Sequence, residues 1–364
     1  MKMSEIQHKL RNEIKEDWQL SEAAVRLFRE TMPSILALVN EKFRLGKPNN
    51  DNRAILQNLD FLMDAHRHFG EMLLAIYQFQ LWHSFIDEAI WYAQSARSRG
   101  LDERYFSQML RTWMIALHSY IKSPEVGELT QPLIWLSKYS QDLFQSSVQE
   151  EVLSDEASEL LNLLLGNERG RAEKLANSFS REKNSDEALI DKLLLPVLSE
   201  IGRLWRDNQI SVADEHLAVA NLRSIYQVHF RSRPSEELRK QRVTVCCVPG
   251  EEHEIGAELL SLYLGSRGWP IDFIGHSTPE DEILRMVRQN APFALVLSGM
   301  LISHLPALVS LLQRLRESSP SLKILAGGSA IRQAKEVIKG LADGIPDSFE
   351  ECHKMLSDMV NAHA

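Results

Sequence analysis

Cysteine is nearly absent from this chain, with three in 364 residues, at positions 246, 247 and 352. That scarcity excludes a disulfide framework and a cysteine-built zinc site, and it fits a reducing compartment. Cys246 and Cys247 are adjacent in an apolar run, so on a strand they point to opposite faces and are expected to be buried as small hydrophobes. Positive charge is also short: 41 Lys and Arg stand against 50 Asp and Glu, a net charge of −9. A broadly basic nucleic-acid surface is therefore not expected. No run approaches the ~18 uncharged apolar residues of a membrane span. Met1 to Lys15 is charged and amphipathic, without the apolar centre of a secretory signal, so a cytoplasmic location is expected. Internal repeats and low-complexity tracts are missing too. What is there is ordinary globular material, 44% hydrophobic and 25% charged, and long enough for two or three domains with their own cores.

Hydrophobic periodicity divides the chain. Residues 1–148 show amphipathic helical runs broken at Gly46–Asn50, at Arg99-Gly100 and around Ser123-Pro124-Glu125. Residues 149–232 form a second helical set, punctuated at Gly166-Asn167, Lys183-Asn184-Ser185 and Asn208-Gln209. A charged linker follows at 233–242 and contains Pro234. From 243 to 364, apolar runs at Val243–Val248, Ile271–Ile274, Phe293–Leu297 and Leu322–Ala326 alternate with helical patterns. This alternation predicts an α/β doubly wound, flavodoxin-like parallel sheet, with a short fifth strand near Gly344.

The first apolar run ends in Pro249-Gly250 and leads into Glu251-x-His253-x-x-Gly256. Open α/β sheets place their ligands at the carboxyl ends of their strands. A histidine there can bind a metal through one ring nitrogen while its other N–H donates to a carboxylate two residues away, which fixes the tautomer. Gly256 leaves the new helix free of a side chain facing a bulky ligand. A loop histidine beside glutamates is by itself most often a solvated surface residue. Two further strand ends change that reading: Ser298-x-Met300 follows the third run, and Gly327-Gly328 follows the fourth. Together they describe one crevice with polar groups at its mouth and room between the strands.

This constellation resembles the cobalamin-binding domain, whose pattern is D/E-x-H-x-x-G, then S-x-L, then G-G. The resemblance implies His253 as lower cobalt ligand and Glu251 as the residue that orients it. Ser298 would contact the cofactor's displaced tail, and Gly327 and Gly328 would clear space for it. Met300 stands where the family has leucine, a volume-conserving change. The resemblance also implies that 149–232 is the four-helix cap that shields the upper face of the corrin.

Within that set, Leu193–Trp205 reads as one helix. Asn208-Gln209 breaks it, and Ser211 is a candidate N-cap for the next helix, with Asp214 at its third position. Trp205 and, nine residues on, Glu215-His216 thus flank the break. Taken alone they read as a core tryptophan and a surface pair. Their spacing is similar to that of adenosylcobalamin-dependent photoreceptors, the light-responsive repressors, in which these residues surround the adenosyl group. A carboxylate can accept from ribose hydroxyls, whereas a methyl group offers it nothing. The motif therefore favours adenosylcobalamin over methylcobalamin. The repressors carry a cobalt-capturing histidine directly after the tryptophan; here it is Arg206, which cannot ligate.

Residues 1–148 lie outside the resemblance and contain no short basic recognition helix, so direct DNA contact is not expected. Between Leu59 and Trp91 lies a stripe of Phe61, His66, His68, Phe69, Tyr77, Phe79, Trp82, His83, Phe85 and Trp91. Such a stripe could line a haem or bilin pocket as a second chromophore site, but more often it is bundle core. The expected role is an interaction domain, through self-association or a regulatory protein partner. The expected function is a sensor rather than an enzyme; the alternative is a corrinoid carrier of a methyltransferase system. A mutase subunit would need a catalytic barrel that is not seen here.

Overall fold

The computed structural model describes residues 5–14, 18–45, 53–146, 152–231 and 238–362. The expected break at 46–50 and residues 233–237 of the expected linker lie outside them. Two compact units are present: one spans residues 1–151 together with Arg206–Gln209, and the other Val152–Trp205 together with Ile210–Ala364.

The first unit is helical: α1 (Glu5–Glu13), α2 (Glu22–Arg44), α3 (Arg53–Gln57), α4 (Leu59–Phe79), α5 (Trp82–Ser98), α6 (Glu103–Tyr120), α7 (Glu125–Lys138) and α8 (Ser140–Gln145). Side-chain caps start α2 and α6. Ser21 accepts from the Ala24 amide, and Asp102 accepts from the Arg104 and Tyr105 amides, contacts of ~1 kcal/mol each. Of the aromatic stripe, His66, Phe69, Tyr77, Trp82 and Phe85 are buried core, Phe61, His68, Phe79 and Trp91 are half-buried, and His83 is exposed. Phe69 packs edge-on against Tyr92 and tilted against Trp113, while Trp82 meets Trp18 edge to face. Beside His66 the cavity measures about 10 Å³, the room of a single water. His66 donates from Nδ1 to Asn40 Oδ1 at 2.9 Å and accepts from the Tyr105 hydroxyl at Nε2 at 3.2 Å. A haem or bilin has no space there, and His66 has no nitrogen left for one. Burial lowers its pKa to about 4, so the ring is neutral.

The second unit opens with α9 (Asp155–Leu165), α10 (Arg169–Lys183), α11 (Asp186–Leu189), α12 (Leu195–Arg206) and α13 (Val212–Arg231). The helix expected over Leu193–Trp205 begins in a π turn, Ile190–Leu194, where the Leu195 amide bonds Ile190 O. Pro196 is the reason: it has no N–H and its ring crowds the preceding turn, which the wider turn relieves. Ser211 caps α13 reciprocally. Its Oγ accepts from the Asp214 amide at 3.2 Å, while Asp214 Oδ2 accepts from the Ser211 amide at 3.0 Å.

The sheet follows: β1 (Val243–Cys247), β2 (Ile271–Gly275), β3 (Ala294–Ser298) and β4 (Lys323–Gly327), interleaved with α14 (Ile255–Ser266), α15 (Glu280–Asn290) and α16 (Leu305–Ser318), and followed by α17 (Ser329–Gln333) and α18 (Phe349–Asn361). All pairings are parallel, in the order β2-β1-β3-β4, with Cys247, Ser298 and Gly327 in register. The expected fifth strand is reduced to a bridge between Leu325 and Gly344, because Pro346 lacks the amide that would extend the ladder. Residues of α9–α13 share one apolar core with β1, β3, α14 and α18. Cys246 and Cys247 are both fully buried, as their opposite-face placement predicts. Strand order reverses between β1 and β3, so the loops after these two strands diverge and leave a crevice.

Candidate functional site

The loop after β1 turns at Gly250, whose φ of +87° suits glycine. It delivers Glu251 into the crevice, where the side chain is wholly buried. Oε1 accepts from the amides of Glu252 and His253, both at 3.1 Å, and from His253 Nδ1 at 2.5 Å. Oε2 accepts from the loop after β3: the Met300 amide at 2.8 Å, the Leu301 amide at 3.1 Å and His304 Nδ1 at 3.2 Å. One carboxylate thus ties together the two loops that diverge at the switch point. Burial alone raises a carboxyl pKa. Here hydrogen bonds from His253 and His304, the charge of His253 and the Met300 amide outweigh burial and hold Glu251 well below the usual carboxylate range.

Because an ionised carboxylate only accepts, His253 carries its proton on Nδ1. In the neutral ring the Nε2 lone pair is then free, and the side chain is 58% exposed. The hydrogen bond to Glu251 is the largest influence raising its pKa, opposed by burial. Glu215 adds a further raising influence from the start of α13, so Glu215 lies within electrostatic range of His253. His216 is 75% exposed, with Nε2 at 3.4 Å from Glu215 Oε2. Trp205 is half-buried at the end of α12, and Arg206 is paired with Asp207 through Nε at 2.8 Å and Nη2 at 3.0 Å.

The glycines differ in what they do. A Cβ on Gly328, where φ is +112°, would sit 2.2 Å from Gly299 O, so the close approach of the loops after β3 and β4 requires that residue to be glycine. A Cβ on Gly327 would meet only Pro346 O, at 3.7 Å, and one on Gly256 would meet nothing within 4 Å. The missing side chain at Gly256 is therefore not demanded by packing within the chain, and open space lies over the first turn of α14. Met300 and Val212 are exposed apolar residues at the same loops and helix, Val212 one turn before Glu215-His216. Ser298 is half-buried at the end of β3, and its carbonyl accepts from the Val248 amide at 2.9 Å.

Residues 156–228 and 241–351 each match a family described as "B12 binding domain", together about half of the chain. The chain belongs to the family of proteins with B12-binding domains. The B12-binding chain is 29% identical over 153 residues to the HTH-type transcriptional repressor CarH of Myxococcus xanthus, covering 42% of this chain and 50% of the repressor. To CarA of the same organism it is 28% identical over 177 residues, covering 48% and 59%. It spans about half the length of these relatives. The methanol–corrinoid protein of Methanosarcina barkeri is 22% identical over 147 residues, 40% of this chain and 56% of that one. Among solved structures, the monomethylamine corrinoid protein of Methanosarcina barkeri is 17% identical with a TM-score of 0.46, covering 55% of this chain and 96% of its own.

A cobalamin-type cofactor fits the residues present: an outward imidazole nitrogen, a Cβ-free helix start below open space, and exposed apolar side chains beside a carboxylate. Sequence reasoning missed His304 and the side chains that tie α13 to the segment after His253. His304 falls six residues after Ser298, and its signal was Pro306, which marks a helix start on the far side of the crevice. Arg223 lies two turns beyond Glu215-His216 on α13 and reaches Glu254 Oε1 at 2.5 Å and Glu258 Oε2 at 2.7 Å. Tyr226 and Gln227 also donate to Glu258, at 2.7 and 2.6 Å. Glu254, directly after His253, is thus tied to α13.

Proposed function

We propose that this B12-binding chain is an adenosylcobalamin sensor, a light-responsive regulatory protein rather than an enzyme. One observation carries the reading: two histidine–carboxylate pairs, Glu251–His253 and Glu215–His216, lie in one unit with Glu215 in electrostatic range of His253. His253 Nε2 is the cobalt ligand, and Glu251 keeps the proton on Nδ1. Ser298, Gly327 and Gly328 line the path of the cofactor's tail, while Gly256 and Met300 border the corrin. On the other side Trp205 covers the adenosyl group, Glu215 accepts from ribose hydroxyls, and His216 borders the upper face. When bound, the cofactor supplies a cobalt–carbon bond that light can break. Arg206 is held by Asp207 and, as a guanidinium, offers no nitrogen to cobalt afterwards. Trp205 and Glu215 would hold the adenosyl group, so the packing of the cap helices around them would differ between loaded and unloaded protein, a difference that a regulatory partner or a second copy of the chain would read. Similarity to two proteins named as transcriptional repressors supports a regulatory role.

Reconstitution in darkness with adenosylcobalamin, and separately with methylcobalamin, tests this. The expected result is preferential retention of the adenosyl form, an irreversible spectral change under green light, and a change in oligomeric size. Equal retention of both forms with a light-inert spectrum would overturn the sensor reading in favour of a corrinoid carrier, which the methanol–corrinoid relative resembles.

A further inference from the structure

We propose that Ser98 and Arg99 of the helical unit position Trp205 by capping the helix that carries it, so that the turn after α12 is the link through which the helical unit registers the cofactor. The inference rests on the reading of Trp205 as the residue that covers the adenosyl group. The boundary between the two compact units falls inside α12, between Trp205 and Arg206, and the turn Arg206–Gln209 belongs with the helical unit. The last carbonyls of a helix have no partner within it. Here the Arg206 carbonyl is met from the end of α5: Ser98 Oγ and Arg99 Nη1 each donate to it at 2.9 Å. A guanidinium in that place also complements the helix dipole. Asn208 closes the turn in the left-handed conformation common at helix ends, with φ +54°. Its side-chain amide donates to Ser98 O at 3.4 Å.

Arg99 is itself anchored in α4 and α5. Its Cζ stands 3.8 Å from the centre of the Phe61 ring, a cation–π stack. Nη1 also donates to Ser95 O and Ser95 Oγ, both at 3.0 Å, and the Arg99 carbonyl accepts from Asn58 Nδ2 at 3.3 Å. Burial lowers the Arg99 pKa, and the charge of Asp207, in the gripped turn, opposes that. A turn that merely joined two helices could leave its carbonyls to water. This one takes a charged donor from a segment 107 residues away. The gripped residue is the direct neighbour of Trp205 along the chain. Without the two donors the last turn of α12 would fray, and the Trp205 indole would lose its fixed place. By reciprocity, a ligand that fixes Trp205 steadies the turn and the end of α5.

The test compares Arg99→Met, which keeps an apolar stem over Phe61 and loses the donors, with Arg99→Lys, which keeps a charged donor. In cofactor-free protein, amide hydrogen exchange from Leu204 to Ser211 should quicken about tenfold or more in R99M, the size of a lost hydrogen bond from a charged group, and less in R99K. Adding adenosylcobalamin in darkness to wild type should slow exchange at Ser98 and Arg99 about fivefold or more, and R99M should lose that response. R99M should also bind adenosylcobalamin about fivefold or more weakly, with methylcobalamin affinity and the histidine-on spectrum unchanged, because Trp205 covers the adenosyl group. Wild type that binds adenosylcobalamin with no change of exchange at Ser98 and Arg99 would overturn the inference and leave the sensor reading standing. Equal loss of both cofactors in R99M would do the same. Should R99M fail to fold, Ser98→Ala, which removes the other donor and leaves Arg99 stacked on Phe61, decides by the same comparisons. Wild type that binds neither cofactor would sink the functional reading and this inference with it.

Discussion

His66 in the helical unit and His253 in the B12-binding unit are the same residue type put to opposite uses. His66 is buried, with both ring nitrogens taken by Asn40 and Tyr105, and burial lowers its pKa to about 4. His253 has one nitrogen on a buried carboxylate and the other facing outward, and its pKa is raised, chiefly by the bond to Glu251. The first arrangement satisfies a histidine and the second equips one to act on something else. Buried polar groups with every valence filled rigidify a core, whereas one free lone pair beside an anchored acceptor makes a ligand.

The contrast can be broken most severely at Glu251. Glu251→Leu strands two imidazoles and four amides around an apolar side chain, and should destabilise the B12-binding unit by about 3 kcal/mol or more. Denaturant titration followed by cobalamin addition checks this, with loss of both stability and binding expected. His66→Leu should cost about 2 kcal/mol in the helical unit, by leaving Asn40 and Tyr105 unpaired, and should leave cobalamin binding unchanged. His253→Ala should do the converse. Glu251 keeps its other donors, so stability should fall by only about 1 kcal/mol, while the spectrum of bound cobalamin moves to the base-off form. An unchanged spectrum would remove His253 as the ligand.

Acid sharpens the same comparison. Because the folded pKa of His66 is depressed, the unfolded chain takes up a proton first. Stability of the helical unit should be full above pH 6.5 and fall by about 3 kcal/mol as the pH drops to 4. In the other unit Glu187 works in a lower window. Burial raises its carboxyl, but donors from Tyr263 and Ser185 and the charge of Arg267 hold it at about 2. Its contribution is present above pH 4.5 and lost from there downward. Thermal melts at pH 7, 5.5 and 4.5 should show the helical unit softening first, and H66L should flatten that dependence. The smallest expected effect is at the cap of α13: Ser211→Ala should cost ~1 kcal/mol, seen as a modest drop in melting temperature.

The strands were legible because buried parallel strands write themselves as apolar runs; each observed strand lies within one residue of its run. The Ser211–Asp214 cap was legible because both partners sit three residues apart. The π turn before Pro196 and the reduction of the fifth strand at Pro346 depend on backbone bonding that the pattern of apolar residues does not encode. Of the candidate site, Glu251, His253 and Gly256 share one short segment and could be found by spacing. His304 could not, since it stands 53 residues from Glu251 and has no periodic signature. The histidines of the stripe pulled the other way: spacing alone cannot tell His66, with both nitrogens bonded, from a histidine lining a pocket.

By itself the sequence determined the order of helices and strands and the short motif at the first strand end, because apolar periodicity and local spacing are properties of neighbours along the chain. The tertiary structure decided which loops meet. Parallel pairing in the order β2-β1-β3-β4 opens a crevice between β1 and β3, and the anionic carboxylate buried there collects donors from both sides because a charge in that position must be satisfied.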